Sequence, residues 1–387
     1  MSAAPGSDPR PTPRTELAVW LALVVALVGL LQTGTPPRVV VLSLIVVAVT
    51  LAISLRWRIG PVVVIVLLLV GLALRAVPST GFSDVLTVTE AAIREMQAGG
   101  NPYGHGFEES FPPGAPFAYG PLALLWYVPA LDDPGAQELL AATVVLGLLA
   151  LRGRPLGLAV YAVTPAFVVA AGDGSNDTTA GLLILVTLLV AVRAPIAGAV
   201  LLAAAVAFKP YALAWLPGLL AYGGIVGPLV AFLVASAVAW LPALVAYGPR
   251  EMLWSFREAD ALHGTAYYSL AYALDAPEGV PKPLWNGLRV AIGVGLAIGN
   301  LLFVRSAASL VVGGALVFGA TLFLGWWGSF AYFAAVAPIL CWHLDDWLGL
   351  ERYRVVWPGD PVRRVTVWAD SRWPVRSAVM DVTPPAR

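Results

Sequence analysis

GFSDVLTVTEAAIREMQAGGNPYGHGFEESFPPGAPFAYGPL, residues 81–122, is a long polar, acidic segment in a chain that is otherwise mostly apolar. It sets a carboxylate, Asp84, directly after an apolar run long enough to cross a bilayer. A carboxylate at that depth is costly to hold unless it serves a purpose. The side of the membrane on which this segment lies decides how every other apolar run is threaded.

The runs around it fix the class. Of 387 residues, 59% are hydrophobic and 12% charged, where a soluble domain carries about a quarter charged residues. The apolar residues come in stretches close to the ~20 needed to span the hydrocarbon core. The expectation is an all-α polytopic membrane protein, since a membrane β-barrel would show short alternating segments. The formal net charge of +0 gives no case for a nucleic-acid partner. The single cysteine, Cys341, excludes an intramolecular disulfide and a Cys-rich metal site. The first apolar run follows Arg10 and Arg14, lacks a small-x-small cleavage site and is followed at once by a second run, so it reads as a span and not as a cleaved leader.

Candidate spans lie at about 17–33, 38–55, 60–77, 136–151, 155–171, 178–193, 195–208, 211–223, 224–247, 287–304, 306–325 and 328–344. A further apolar stretch, 119–131, holds Pro121 and Pro129. Arginine placement decides its status. With residues 1–16 cytoplasmic, Arg56 and Arg58 follow the second span on the inside and the third span exits. If 119–131 crossed the bilayer, Arg152, Arg154, Arg193 and Arg305 would fall outside. If it lies in the outer interface, all four fall inside, as does the arginine-rich tail 345–387. We therefore expect twelve transmembrane helices over 17–344, an interfacial or re-entrant 119–131, and both termini cytoplasmic. The expected location is the cell membrane, multi-pass. The outer loops are then 78–135, 172–177 and 248–286, and the first carries seven acids against one arginine, Arg94. The short 211–223 run could be half of a broken helix.

Within the first outer loop, Ser83 can cap a helix starting at Asp84. Val85, Val88, Ala92 and Met96 fall on one face, with Thr87, Glu90, Arg94 and Gln97 largely opposite. Gly99 and Gly100 end it, and Asn101-Pro102 starts a turn. Such an amphipathic helix suits the outer membrane surface.

Four groups could carry chemistry. Asp84, in the first turn of that helix, is favoured as an ionised carboxylate and could accept a proton from an attacking hydroxyl; its bland role is helix capping. GDGSND, residues 172–177, brings Asp173, Asn176 and Asp177 to the bilayer surface as sugar-hydroxyl contacts or simply as a turn and cap. Its oxygens could suit a divalent cation, yet no spacing demands a metal and no cofactor is required. Lys209 ends the run AVAFKPYALAWLPG, followed by Pro210 and Tyr211. It could hold a phosphate as a point charge or merely snorkel. GWWGSFAYFAAVAP, residues 325–338, offers Trp326, Trp327, Tyr332 and Phe333 as an aromatic platform or an ordinary interfacial belt. His263 and YYSLAY, 267–272, stand in the other long outer loop, where a lone histidine is more often neither ligand nor base. Walker, GxSxG, HExxH and GxGxxG patterns are missing from the sequence, which disfavours nucleotide-driven work and serine or zinc hydrolysis.

An Asp soon after a span, a helix, GG-NPY, a Pro-rich stretch and an apolar helix resemble the GT-C fold of polyprenyl-phosphate-sugar-dependent glycosyltransferases. FKPYALAWLPG resembles the K-P-Y segment of the GT87 mannosyltransferase group of actinobacteria. The resemblance covers about residues 60–340. It implies Asp84 as catalytic base and Lys209 near the donor phosphate. It places Asn176 where the family has a GQ-x-N-like segment. Asn101, Tyr103, Tyr119, Asp173, Asp177, Tyr211, His263, Trp327 and Tyr332 are the further candidate substrate contacts. WWGSFAYF matches the family's late aromatic segment without its histidine, and the first two spans look like an added hairpin. The implied partners are a polyprenyl-phosphate sugar donor, with mannose favoured, a lipid or polysaccharide acceptor, and membrane lipids. The implied chemistry is inverting transfer at the outer face. A secondary transporter or lipid flippase using Asp84 and Lys209 as coupling groups is the rival reading. A non-catalytic scaffold would leave the acidic loops unexplained.

Overall fold

A computed structural model describes residues 37–56, 61–77, 83–265, 268–274 and 279–350, with positions 355, 357 and 371. The N-terminal segment 1–16, the expected span 17–33 and most of the tail 345–387 lie outside the described residues. What is described is mostly helical, with almost no strand. The helices are α1 Pro37–Arg56, α2 Pro61–Arg75, α3 Val85–Gln97, α4 Pro121–Tyr127, α5 Gly135–Arg152, α6 Pro155–Val163, α7 Pro165–Val169 and α8 Asp177–Ala191. They continue as α9 Pro195–Phe208, α10 Leu216–Gly223, α11 Val226–Tyr247, α12 Pro249–Leu262, α13 Leu270–Ala273, α14 Lys282–Phe303, α15 Ala307–Phe323 and α16 Ala331–Trp347. One two-stranded antiparallel ribbon, β1 Gly106–Phe107 with β2 Ala115–Pro116, sits in the loop after α3.

Proline punctuates this bundle. It opens α4, α6, α7, α9 and α12, where its missing N–H and fixed φ are harmless. Pro242 and Pro338 lie inside α11 and α16 without ending them, whereas Pro165 breaks an expected span. The run 155–171, expected as one helix, is two, because Pro165 pushes Thr164 into an extended conformation (φ −67°, ψ 118°). Arg75 fills the break, donating to the carbonyls of Tyr161 (2.8 Å) and Ala162 (3.0 Å).

The run 211–223 is irregular too, though not half a helix. A 3-10 segment, Pro210–Trp215, leads into α10. Together they rise about 24 Å, against about 21 Å for α9, and Gly223 comes back against Pro195 at the start of α9. The 119–131 stretch is α4 plus a 3-10 turn, Val128–Ala130. Its rise of about 17 Å is near half the hydrocarbon core.

Among the described residues, three helices are long and apolar enough to cross a membrane: α5, α11 and α14. The centre of the bundle is α8, packed on α5, α9 and α16, with α11 against α9 and α14 against α15 and α10. The outer faces of α11 and α14 are apolar and open, with Val238 72%, Val245 84% and Val290 57% exposed. Apolar surface on that scale fits hydrocarbon and not water.

The helix in the first loop departs from expectation in two ways. Asp84, not Ser83, holds the N-cap position, and neither side chain makes a capping bond to the N2 or N3 amide; the Ser83 hydroxyl meets only the Val85 N–H, at 3.5 Å. The buried face is Leu86, Val88, Thr89, Ala92 and Ile93, with Val85 and Met96 at its margins. Leu86, Thr89 and Ile93 form an i, i+3, i+7 row that outweighs Val85 and Met96. Protein covers this face, so the helix is docked on the bundle and α4 rather than resting its apolar side on lipid.

Candidate active site

The start of α3 is bound to the 172–177 loop by backbone. Ser83 N–H donates to the Asp173 carbonyl (2.5 Å) and Leu86 N–H to the Gly174 carbonyl (2.8 Å). Gly174 has φ +91°, and a Cβ there would lie 2.2 Å from the Ser83 oxygen, so only glycine permits this approach. Asp173 accepts from Ser175 N–H (2.8 Å) and tightens the loop. Burial raises its carboxyl above the ordinary value. Asp84 is half-buried, and its Oδ2 accepts from Phe111 N–H (2.8 Å) at the tip of the ribbon.

The same loop runs on into α8, whose first residues meet Lys209. Helix α9 stops at Phe208, because Pro210 requires an extended residue before it, and Lys209 adopts φ −143°, ψ 113°. Its Nζ donates to Asn176 Oδ1 (2.6 Å) and Asp177 Oδ1 (2.8 Å), and the Tyr211 hydroxyl donates to the same Asp177 oxygen (2.6 Å). The rings of Tyr211, Tyr119 and Tyr332 surround the ammonium at 5.1, 5.4 and 5.8 Å, within cation–π range. Lys209 thus does not snorkel at a helix end. It is a buried cation neutralised by a buried acid, 6% and 2% exposed. The Asn176 side-chain N–H₂ is buried without a partner beside it.

Tyr119 connects the two halves. Burial, followed by the charges of Tyr332, Asp177 and Asp84, pushes its phenol well above the ordinary value. Asp84, Tyr119, Asp173, Asn176, Asp177, Lys209, Tyr211 and Tyr332 therefore form one group at one end of the bundle. Chemically it pairs a half-exposed carboxylate with a buried cation and an unsatisfied amide donor.

The remaining candidates stand around this group. Asn101 is committed to scaffold bonds: Nδ2 donates to the Tyr247 carbonyl (2.8 Å) and Oδ1 accepts from Tyr103 N–H (3.0 Å). Tyr103, 1% exposed, donates its hydroxyl to the Tyr119 carbonyl (3.2 Å) and packs on Phe117 and Tyr247. His263 bonds the Ala259 carbonyl at the end of α12 and lies 4.3 Å from the Trp327 ring. The expected platform at 325–338 is divided: Tyr332 faces Tyr211, Phe333 stacks on Phe323 at 4.7 Å, and Trp326 packs with Trp285 and Ala271.

One residue escaped the sequence reading. Glu138, 1% exposed in the first turn of α5, accepts from the Tyr127 hydroxyl (2.5 Å), from Thr179 N–H (3.0 Å) and from the Thr179 hydroxyl. An acid inside the run QELLAATVVL was the available signal. It forms part of the wall of a pocket of about 210 Å³ between α3, the start of α5 and the 172–175 loop. Among the described residues no group of three or more His, Cys, Asp or Glu is placed to hold a metal ion. No family model, curated protein or solved structure matches this chain.

Proposed function

We propose that this chain is an integral membrane glycosyltransferase of GT-C architecture, with twelve spans and its site at the outer face. It moves a sugar, mannose in the favoured case, from a polyprenyl phosphate to an acceptor hydroxyl. The observation that carries the reading is the meeting of Asp84 and Lys209 through one loop, 173–177, although 125 positions separate them in sequence (209 − 84).

In the proposed step, Asp84 takes the proton of the acceptor hydroxyl. The acceptor oxygen forms a bond to the anomeric carbon as the bond from that carbon to the phosphate oxygen breaks. The lipid phosphate leaves with the electron pair, and the anomeric centre inverts. An ammonium has three N–H donors. Lys209 commits two to Asn176 and Asp177 and keeps one for the leaving phosphate, where charge builds. The unpartnered Asn176 amide supplies further donors at the same place. A phosphate leaves readily, so a strong general acid is not needed.

The test is Asp84→Asn in isolated membranes given radiolabelled polyprenyl-phosphate sugar. Transfer should be lost while expression stays at the wild-type level. Full transfer by the variant would remove Asp84 as the base. The buried Lys209–Asp177 pair is also what a coupled transporter would use, so a wild type that transfers no sugar from any lipid phosphate would favour that reading.

A further inference from the structure

We infer that Glu138 is a positioning residue: it caps α8 from another helix and so releases Asn176 to hold Lys209. Asn176 occupies the N-cap position of α8. An asparagine there ordinarily turns its side-chain oxygen onto the amide two or three residues on. Here it makes no such bond, and its Oδ1 lies 2.6 Å from Lys209 Nζ instead. The amide it would have taken, Thr179 N–H, donates to Glu138 Oε2 (3.0 Å). The Tyr127 and Thr179 hydroxyls hold the other carboxylate oxygen. A carboxylate also suits the positive end of a 15-residue helix. Asn176 Oδ1 and Glu138 Oε2 are thus alternative acceptors for one N–H. With Glu138 in place, the asparagine is left for the lysine.

Removing Glu138 should reverse the exchange. Asn176 would turn back to Thr179 N–H, and Lys209 would lose one of its two side-chain acceptors. The chain has only two lysines, Lys209 and Lys282, so acetylation of the full-length detergent-solubilised protein, read by mass spectrometry, reports Lys209 against an internal reference. Glu138→Ala should raise the Lys209:Lys282 labelling ratio about fivefold, the weight of a typical cap. Glu138→Gln, which keeps one accepting oxygen, should give a smaller rise. Asn176→Ala should raise the ratio too, and Glu138→Ala with Asn176→Ala no further than the larger single effect.

Wild-type ratios in both Glu138 variants, or additive effects in the double variant, would overturn the assignment. Should the alanine variant not accumulate, the glutamine variant and Thr179→Val, which removes only a hydroxyl donor to Glu138 and should leave the ratio unchanged, still decide it. A second readout rests on the glycosyl-transfer reading: in Glu138→Gln the donor KM should rise more than kcat falls. A wild type without transfer activity would sink that reading and leave the labelling result standing.

Discussion

Lys209 and Asp177 keep only 8% and 3% of their side chains exposed, so neither can lose its partner cheaply. Lys209→Met leaves Asp177 as a buried charge held only by Tyr211, which should destabilise the protein by about 3–5 kcal/mol. Lys209→Met with Asp177→Asn should recover most of that loss, since no charge is then stranded. Thermal unfolding of the wild type and the two variants in one detergent measures it. Two variants of equal stability would show that the pair is weakly coupled to the fold. The residue types at this site were legible from sequence: an acid after a span, a lysine before Pro-Tyr, a Gly-rich acidic turn. Their pairing was not. Nothing in a linear pattern says that Asn176 and Asp177 neutralise Lys209, because that contact depends on where α9 stops and α8 starts. Glu138 was missed because its carboxylate sits in the first turn of a helix, where an acid looks like ordinary helix-end chemistry.

At the scale of elements, the 172–177 turn is the hinge pin of the site. It holds α3 by two backbone bonds and delivers Asn176 and Asp177 to Lys209. Gly174→Ala would force a side chain into a positive-φ position and against the Ser83 carbonyl. A loss on the order of 1–3 kcal/mol is expected from the backbone alone. The clash should also detach the Asp84 turn, so hydrogen exchange at residues 83–88 should speed up more than exchange in α9. Uniform exchange across both helices would show that the turn does not hold α3. Helix boundaries were readable where proline opens a helix. The break at Thr164 and the 3-10 passage at 210–215 were harder, since hydropathy stays high across both. Hydropathy reports what an element is dissolved in, while hydrogen-bond register depends on the single N–H that a proline removes.

Across the whole molecule, the charged ends sort by direction. Helices α5 and α8 start at the site end, and α14 starts where Lys282 meets the end of α12; arginines Arg152, Arg193 and Arg305 lie at or just beyond their far ends. Helix α5 alone sets the two ends about 27 Å apart. At the far end Arg152 and Arg154 both pair with Asp346, and Trp357 donates its indole N–H to the Ala150 carbonyl (3.0 Å). The bundle thus keeps its site group at one end and these arginines at the other.

The sole cysteine gives this polarity a practical handle. Cys341 is 3% exposed inside the bundle, so the native protein is chemically silent to a thiol reagent added from either side. Each introduced thiol becomes a reporter with no background. Gly264→Cys, in the exposed turn after α12, should react with an impermeant maleimide on intact cells. Ala308→Cys, exposed in the first turn of α15, should react only after the cells are opened. Labelling of both from outside would overturn the assigned sides. The molecule can therefore be mapped, position by position, without first being stripped of its own thiol.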